Sequence, residues 1–354
     1  QNTLSSVPYE LIVDRVYIHG DPSYGQRRGI SLNSASTTIM NSHISDIKDP
    51  GLSDSQAIAG WNGPGPYTIT NNFLEAAGEN IMFGGADPKI PNLIPSDITI
   101  TRNHLFKPLH WRNEKWTVKN LLELKNAQRV TVDGNLFENN WQAAQQGWAI
   151  VLQSTNQEGT APWSVVRDVQ FTNNYLRNVA GGISLVRQES PPSVESSNIL
   201  IRNNLFQITR AMGGHGWFMV VIGGSDFTVD HNTIINDGTS ALFADVRPSQ
   251  TFVFTSNVLV DNGYAVMGSG ASPGNGSISE YFPGGQFFGG LFIKSNPANY
   301  PTGNFYPSSI DAAGFVNYWG GDYRLSSSSI YRNGGADGKD PGCDFAALNA
   351  AMGR

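Results

Sequence analysis

The sequence predicts an all-β fold, a right-handed parallel β-helix (solenoid) with loop insertions and a C-terminal cap. Three observations predict it. A short phrase with period-two alternation returns along the chain, clearest as Val130-Thr131-Val132-Asp133-Gly134-Asn135-Leu136-Phe137. It carries an Asn at one fixed place, at Asn72, Asn103, Asn135, Asn174, Asn204, Asn232 and Asn257, with weaker copies at Val16 and Ser42. Successive copies lie 26, 30, 31, 32, 39, 30, 28 and 25 residues apart. Period two makes the unit a set of strands rather than a helix. A repeat of this length means stacked units, because no single unit buries its own apolar face. An Asn fixed at one turn suits a ladder in which each amide bonds its own coil and the next.

Residues 1–47 predict the first two coils, with Tyr17-Ile18-His19 and Ile39-Met40-Asn41 as strands. A second apolar burst also recurs, at 29–32, 80–83, 120–124, 149–152, 182–185, 218–221, 241–244 and 265–267. Each coil therefore has at least two strands and a short third. A minimal coil takes roughly twenty residues or more, so the longer gaps imply loops at particular corners. The longest are 84–97, 106–119, 139–148, 153–165, 186–198 and 207–217, and most tryptophans sit in or beside loops. Insertions on a solenoid tend to share one face, often the binding face. The phrase fades after residue 270. Residues 1–270 read as coils, and 271–354 as final coils and cap of the same domain. A short helix from Asp344 to Met352, N-capped by Asp344, is expected to cover the edges of the last coil.

Composition narrows the function. The 354 residues include 39 Gly and 19 Pro, only 15% are charged, and the net charge is −6. No basic tract stands out, which argues against nucleic acid as a partner. Cys343 is the one cysteine, so neither an internal disulfide framework nor a cysteine metal cluster is available. No segment has the length of a membrane span. No signal peptide is visible ahead of the first strand, and natural sequence is expected before Gln1, as a removed signal or earlier coils.

The Asn phrase, the coil period and the ending Asp322-Tyr323-Arg324-Leu325…Asp337-Gly338-Lys339-Asp340 resemble bacterial secreted right-handed parallel β-helix proteins of the pectate-lyase-like superfamily. The resemblance covers essentially the whole chain. It implies a secreted or periplasmic location and, commonly, action on polysaccharides by lyases, glycoside hydrolases, esterases or epimerases. Phage tailspikes and adhesins share the fold, so fold alone does not choose. Subfamily motifs carry over only in fragments. Gly214-His215-Gly216 resembles the Gly-His-Gly of polygalacturonases, without that family's paired aspartates. Val229-Asp230-His231 resembles a pectate-lyase Asp-His segment but falls inside the repeated phrase. Arg247-Pro248 resembles a lyase Arg-x-Pro fragment, without the remaining arginines.

Counting back eleven residues from the ladder Asn places Leu124, Val221 and Val246 in equivalent inward slots. Glu123 and Lys125, and Asp245 and Arg247, then face outward into solvent, with Val151 and Gln153 between them. Arg187 and Glu189 border a long loop, and His215 sits on another. These seven charged residues and histidine are the candidates for catalysis. Trp111, Trp116, Trp148 and Trp217, with Gln153, are the candidates for substrate binding, because flat aromatic faces stack on sugar rings. Glu123 and Asp245 are four coils apart, ~19 Å, whereas a glycosidase pair needs ~5–9.5 Å. A hydrolase would pair Glu123 with Glu114 or Glu189, or Asp245 with Glu189. A lyase would draw its base and its carboxylate-neutralising cation from Lys125, Arg187 and Arg247. The sequence requires no cofactor. Calcium could use Asp and Glu oxygens, but no compact acidic cluster marks a site. The expected function is a polysaccharide lyase or glycoside hydrolase working in a groove bordered by loops 106–119, 139–148 and 186–217. The competing class is a non-catalytic glycan-binding or structural β-helix.

Overall fold

The structure, a computed structural model, describes residues 1–354. Its strands stack into three long parallel sheets of ten, ten and nine strands, and successive strands along the chain step from sheet to sheet. Each turn of the right-handed β-helix contributes one strand to each sheet. The first sheet carries the alternating half of the repeated phrase, as in Ala127–Asp133. The second carries the pair after the Asn, as in Leu136–Asn140. The third carries the second apolar burst, as in Leu122–Leu124 and Trp148–Thr155.

The corner between the first and second sheets never varies, and its chemistry explains the phrase. The residue before each ladder position is left-handed, with φ near +55°, whether it is Asn71, Asn173, Asn203, Arg102 or His231. Asn and Gly tolerate this region best, which is why three of those five are Asn; of the other two coils one uses Gly134 and one Ser256. The ladder itself is continuous. Each Asn side-chain oxygen accepts from the backbone N–H of the preceding coil's Asn, at 2.9 Å from Asn135 to Asn174 and 2.8 Å from Asn174 to Asn204. Its amide group donates to the next Asn oxygen and to a first-sheet carbonyl, as Asn174 does to Val132. Ser42 takes the same role where the Asn is missing, accepting from Val16.

Inside, three inward rows fill the bore. Ile69, Ile100, Val132, Phe171, Ile201, Val229 and Phe254 align in the first sheet. Leu74, Leu105, Phe137, Leu176, Phe206 and Ile234 align in the second. Ile81, Leu122, Ile150, Ile183, Met219 and Leu242 align in the third. All belong to one cluster of 56 buried residues, each side chain stabilising the stack by about 1.5–3 kcal/mol.

The corner between the second and third sheets holds a buried lysine, whose pKa burial pulls down to about 7. Lys107 is fully buried, and its Nζ donates to the carbonyls of Ala76, Ala77 and Gly78 at 2.8, 2.8 and 2.7 Å.

The C-terminal region departs from expectation. The helix forms, over Phe345–Met352, and the Asp344 carboxylate accepts from the N–H groups of Ala346 and Ala347. It does not cover the last coil. That end is already filled by the helix Asn275–Tyr281 with Phe282, Phe287 and Tyr300, which join the main core. The tail instead runs back along the outside of the solenoid. Gly342 donates to the Ser256 carbonyl, Cys343 to the Thr233 hydroxyl and Asp344 to the Asn203 side chain. Farther on, the Arg102 guanidinium donates to the Ala351 carbonyl. Gly134 lets the helix approach, since a Cβ there would lie 2.4 Å from the Ala351 carbonyl oxygen.

Candidate functional site

Loop insertions leave the third sheet at both of its margins. Loops 106–119, 139–148 and 207–217 precede its strands and pack together through Trp111, Trp116, Trp141 and Met212. Loops 84–97, 153–165 and 186–198 follow its strands and are tied by Trp163 donating to Leu93, Thr160 to Asp87 and Asn156 to Pro192. The outer face of the sheet lies between these two walls as a groove of about 480 Å³.

Six sequence candidates meet in that groove: Trp148, Gln153, Glu189, His215, Trp217 and Asp245. Its floor is the outward row of the sheet, in which Glu123, Val151, Ser184, Val220 and Phe243 stand in register. Three rings pile face to face into a stacked shelf in its lining. His215 stacks on Trp217 at 4.3 Å and 18°, and Trp217 stacks on Phe243 at 4.4 Å and 21°. The lining includes Glu189 and Asp245 but no Lys or Arg.

At one end of the groove the charges condense. Glu189 accepts from Gln153 at 3.1 Å and from Thr155 at 3.0 Å. Lys125 lies 3.6 Å from Glu189 and 3.6 Å from Glu123. The two carboxyl groups therefore have oxygens no farther apart than twice 3.6 Å, below the ~9.5 Å upper limit for a glycosidase pair. Their environments differ. Glu189 is 46% exposed and Glu123 is 1% exposed. Burial, and then the neighbouring Glu79 carboxyl, push the Glu123 acid well above the usual carboxylate range. Glu79 is itself fully buried, bonded by Gln56 at 2.8 Å and 3.8 Å from Lys119, and burial raises it too.

A group raised in the folded state adds stability that is complete below its unfolded pKa of about 4.3 and is lost as pH rises through its folded value. Urea unfolding of the native chain should therefore show stability falling as pH rises above the ordinary carboxylate range. The doubly substituted Glu79→Gln, Glu123→Gln chain should show a flatter dependence. Equal slopes would remove this region as the cause.

Other candidates lie elsewhere. Glu123 points outward but is covered rather than solvent-facing, because Lys125, Lys119 and Glu79 close over it. Val246 is not inward. Ala244 pairs with Val221 and fills that slot, while Val246 is 70% exposed with φ of +61°. Asp245 therefore follows the inward residue as Lys125 does, and Arg247 falls beyond the strand and outside the groove lining. Arg187 lies against Gly223 and is ion-paired with Glu195. Trp111 and Trp116 do not reach the groove. They are buried, and both rings hold the Lys48 ammonium at 5.0 Å, which locks the loop wall. The Glu114 pairing with Glu123 does not form, since Glu114 meets Trp116 and His110. Glu189 and Asp245 also fail as a pair. Glu189 stands on the strand Gly181–Ser190, two strands from Asp245, and its carboxylate turns away onto Gln153 and Thr155 of the strand beyond, three from Asp245.

His231 of the Asp-His segment is buried at the opposite corner, 2.9 Å from Asp230 and 3.2 Å from Asp337, where it holds the tail. No group of three or more His, Cys, Asp or Glu side chains converges in the structure. Glu79 and Lys119 escaped the sequence reading. The available signal was a Glu directly before the buried burst Asn80–Phe83.

Known structures share this architecture. The chain superposes over 96% of its length on 88% of pectate lyase Pel9A, with a TM-score of 0.52 and 12% identity. It superposes over 84% of its length on 55% of the tailspike protein of E. coli bacteriophage HK620, solved with a pentasaccharide, with a TM-score of 0.53 and 10% identity. Over 88% of its length it superposes on 54% of XylC, solved with xylose, with a TM-score of 0.50 and 10% identity. It thus spans just over half of the latter two proteins, and at these identities the likeness is one of fold. No curated protein matches the sequence. No helix is long and apolar enough to cross a membrane. The family described as the right handed beta helix region matches residues 28–214, more than half of the chain; the chain belongs to the right-handed β-helix family.

Proposed function

We propose that the chain holds a neutral glycan along the groove of the third sheet. The observation that carries this reading is the His215–Trp217–Phe243 shelf, an apolar stack of three rings in the groove lining, flanked by Gln153, Glu189 and Asp245. Sugar rings present a C–H face to aromatic stacking and hydroxyls to acceptors at the edge. Two similar folds were solved with a pentasaccharide and with xylose, which supports a carbohydrate ligand. A polyuronate is disfavoured, because its carboxylates would meet Glu189 and Asp245 in a lining without Lys or Arg, and the nearest cation, Lys125, is already shared by Glu189 and Glu123. Trp217→Ala removes the middle ring of the stack and should weaken glycan binding about tenfold, the order of one lost aromatic contact, as read by titration calorimetry. Undiminished affinity would move the site away from the shelf.

Glycoside hydrolysis is the reaction favoured, by one observation: Lys125 stands between a half-exposed carboxylate and a buried carboxylic acid. Environments that push two carboxyl groups apart set base and acid roles. Glu189 takes a proton from the attacking water. The Lys125 ammonium gives a proton to the departing glycosidic oxygen, and Glu123 restores it. The C–O bond to the leaving sugar breaks as the bond to water forms. A panel of neutral and uronate polysaccharides tests both readings. New reducing ends from a neutral glycan, without ultraviolet absorbance, support hydrolysis. New absorbance from a polyuronate means a lyase. Binding without either product leaves a glycan-binding protein, and no binding removes the proposal.

A further inference from the structure

Glu79 has no role in the groove, yet its placement is unusual. It is fully buried, and so is its neighbour Glu123, at 0% and 1% exposure. Each keeps one carboxyl oxygen, Oε1, that is buried and accepts no hydrogen bond. A buried carboxyl oxygen left without a donor costs about 1–3 kcal/mol or more, and one proton held between the two acids would serve both oxygens. The rest of the surroundings agree. Gln56 donates to Glu79 at 2.8 Å, and its own oxygen accepts from Arg28 at 3.1 Å, so its amide orientation is fixed. Lys119 stands 3.8 Å from Glu79 but is engaged at 2.7 Å by Asp54. Lys125 stands 3.6 Å from Glu123 and is shared with Glu189. Lys107, also nearby, spends all three of its donors on backbone carbonyls. Neither lysine within 4 Å is at hydrogen-bonding distance of the pair.

We propose that Glu79 and Glu123 share a single proton and that Glu79 is the positioning residue that keeps Glu123 a proton donor behind Lys125. The shared proton is a property of the folded chain; the donor role rests on the hydrolytic reading above. Two acids that share a site cannot both ionise, and their titration belongs to the pair. Glu79→Gln places an amide donor against Glu123 and removes the competing carboxyl. Glu123 then ionises between Lys125 and Lys119.

Infrared difference spectroscopy of the whole chain at neutral pH tests this without any substrate. The native chain should show one protonated-carboxyl band that Glu79→Gln and Glu123→Gln each abolish, with no further loss in the double variant. A band that survives either single substitution, or its absence from the native chain, overturns the shared proton. Circular dichroism of each variant establishes that the coil is intact, and using both positions keeps the test decisive should one variant misfold. On a hydrolysed glycan, Glu79→Gln should move the alkaline limb of the kcat profile to lower pH by at least one unit, with KM unchanged. A fall in kcat with an unmoved limb overturns the positioning role. If the band behaves as expected and no glycan is cleaved, the hydrolytic reading fails while the shared proton stands.

Discussion

Glu189→Gln is expected to lower kcat on a cleaved neutral glycan by about 10²–10⁴-fold, the contribution of one general base, while KM changes little. The carboxylate faces the groove, and its donors, Gln153 and Thr155, hold it in one orientation. An amide of the same shape keeps these contacts but cannot take a proton from water. Lys125 loses one of its two carboxylate neighbours, so Lys125→Met should cause a loss of the same order, and the two substitutions together should cost far less than their product, since they act as one unit. Asp245→Asn provides the contrast: it lies two strands from Glu189, whose carboxylate turns the other way, and should alter KM alone. Steady-state kinetics on the four chains checks this, and equal losses at Glu189 and Asp245 would defeat the assignment.

Lys107→Met should destabilise the chain by about 3–5 kcal/mol, the range for losing one partner from a buried charged site. The methionine fills the space, but three buried carbonyls at one corner lose their donors together, and each unsatisfied group costs about 1–3 kcal/mol. An ammonium has three N–H donors and three acceptors meet it here, so no neutral side chain substitutes. Urea unfolding should show a lower midpoint at an unchanged slope. Lys339→Met, at a side chain 74% exposed, should shift it by less than about 0.5 kcal/mol. Equal midpoints for Lys107→Met and the native chain would contradict the account.

The fold was legible because one corner is invariant. The turn before Asn72, Asn103, Asn135 and their successors accepts no insertion, so its left-handed residue and its Asn recur at a readable place. The other two corners absorb loops, and register counted across them drifts. Eleven residues separate Leu124 from Asn135 and Val221 from Asn232, but thirteen separate Ala244 from Asn257; the two extra residues produced the error at Val246. The groove was legible in outline, because His215, Trp217, Glu189 and Gln153 sit in or beside insertions on the margins of one sheet. The division of the tryptophans was not legible. Trp217 on a stacked shelf and Trp116 against Lys48 occupy similar loop contexts, and only the partner across the loop distinguishes them. Burial of Glu123 was hidden for the same reason, since Glu79 comes from the neighbouring coil and Lys119 from the end of a long loop.

The tail changes how this molecule comes apart. In a plain stack each coil touches only its neighbours, so the array can fray from either end, one coil at a time. Here residues 342–351 bind coils around Ser256, Thr233, Asn203 and Arg102 at once. Loss of an inner coil releases the tail from the others, and loss of the tail removes support from all of them. The strap therefore couples distant coils and favours a single unfolding transition over sequential fraying, with the groove preserved whole until the molecule opens.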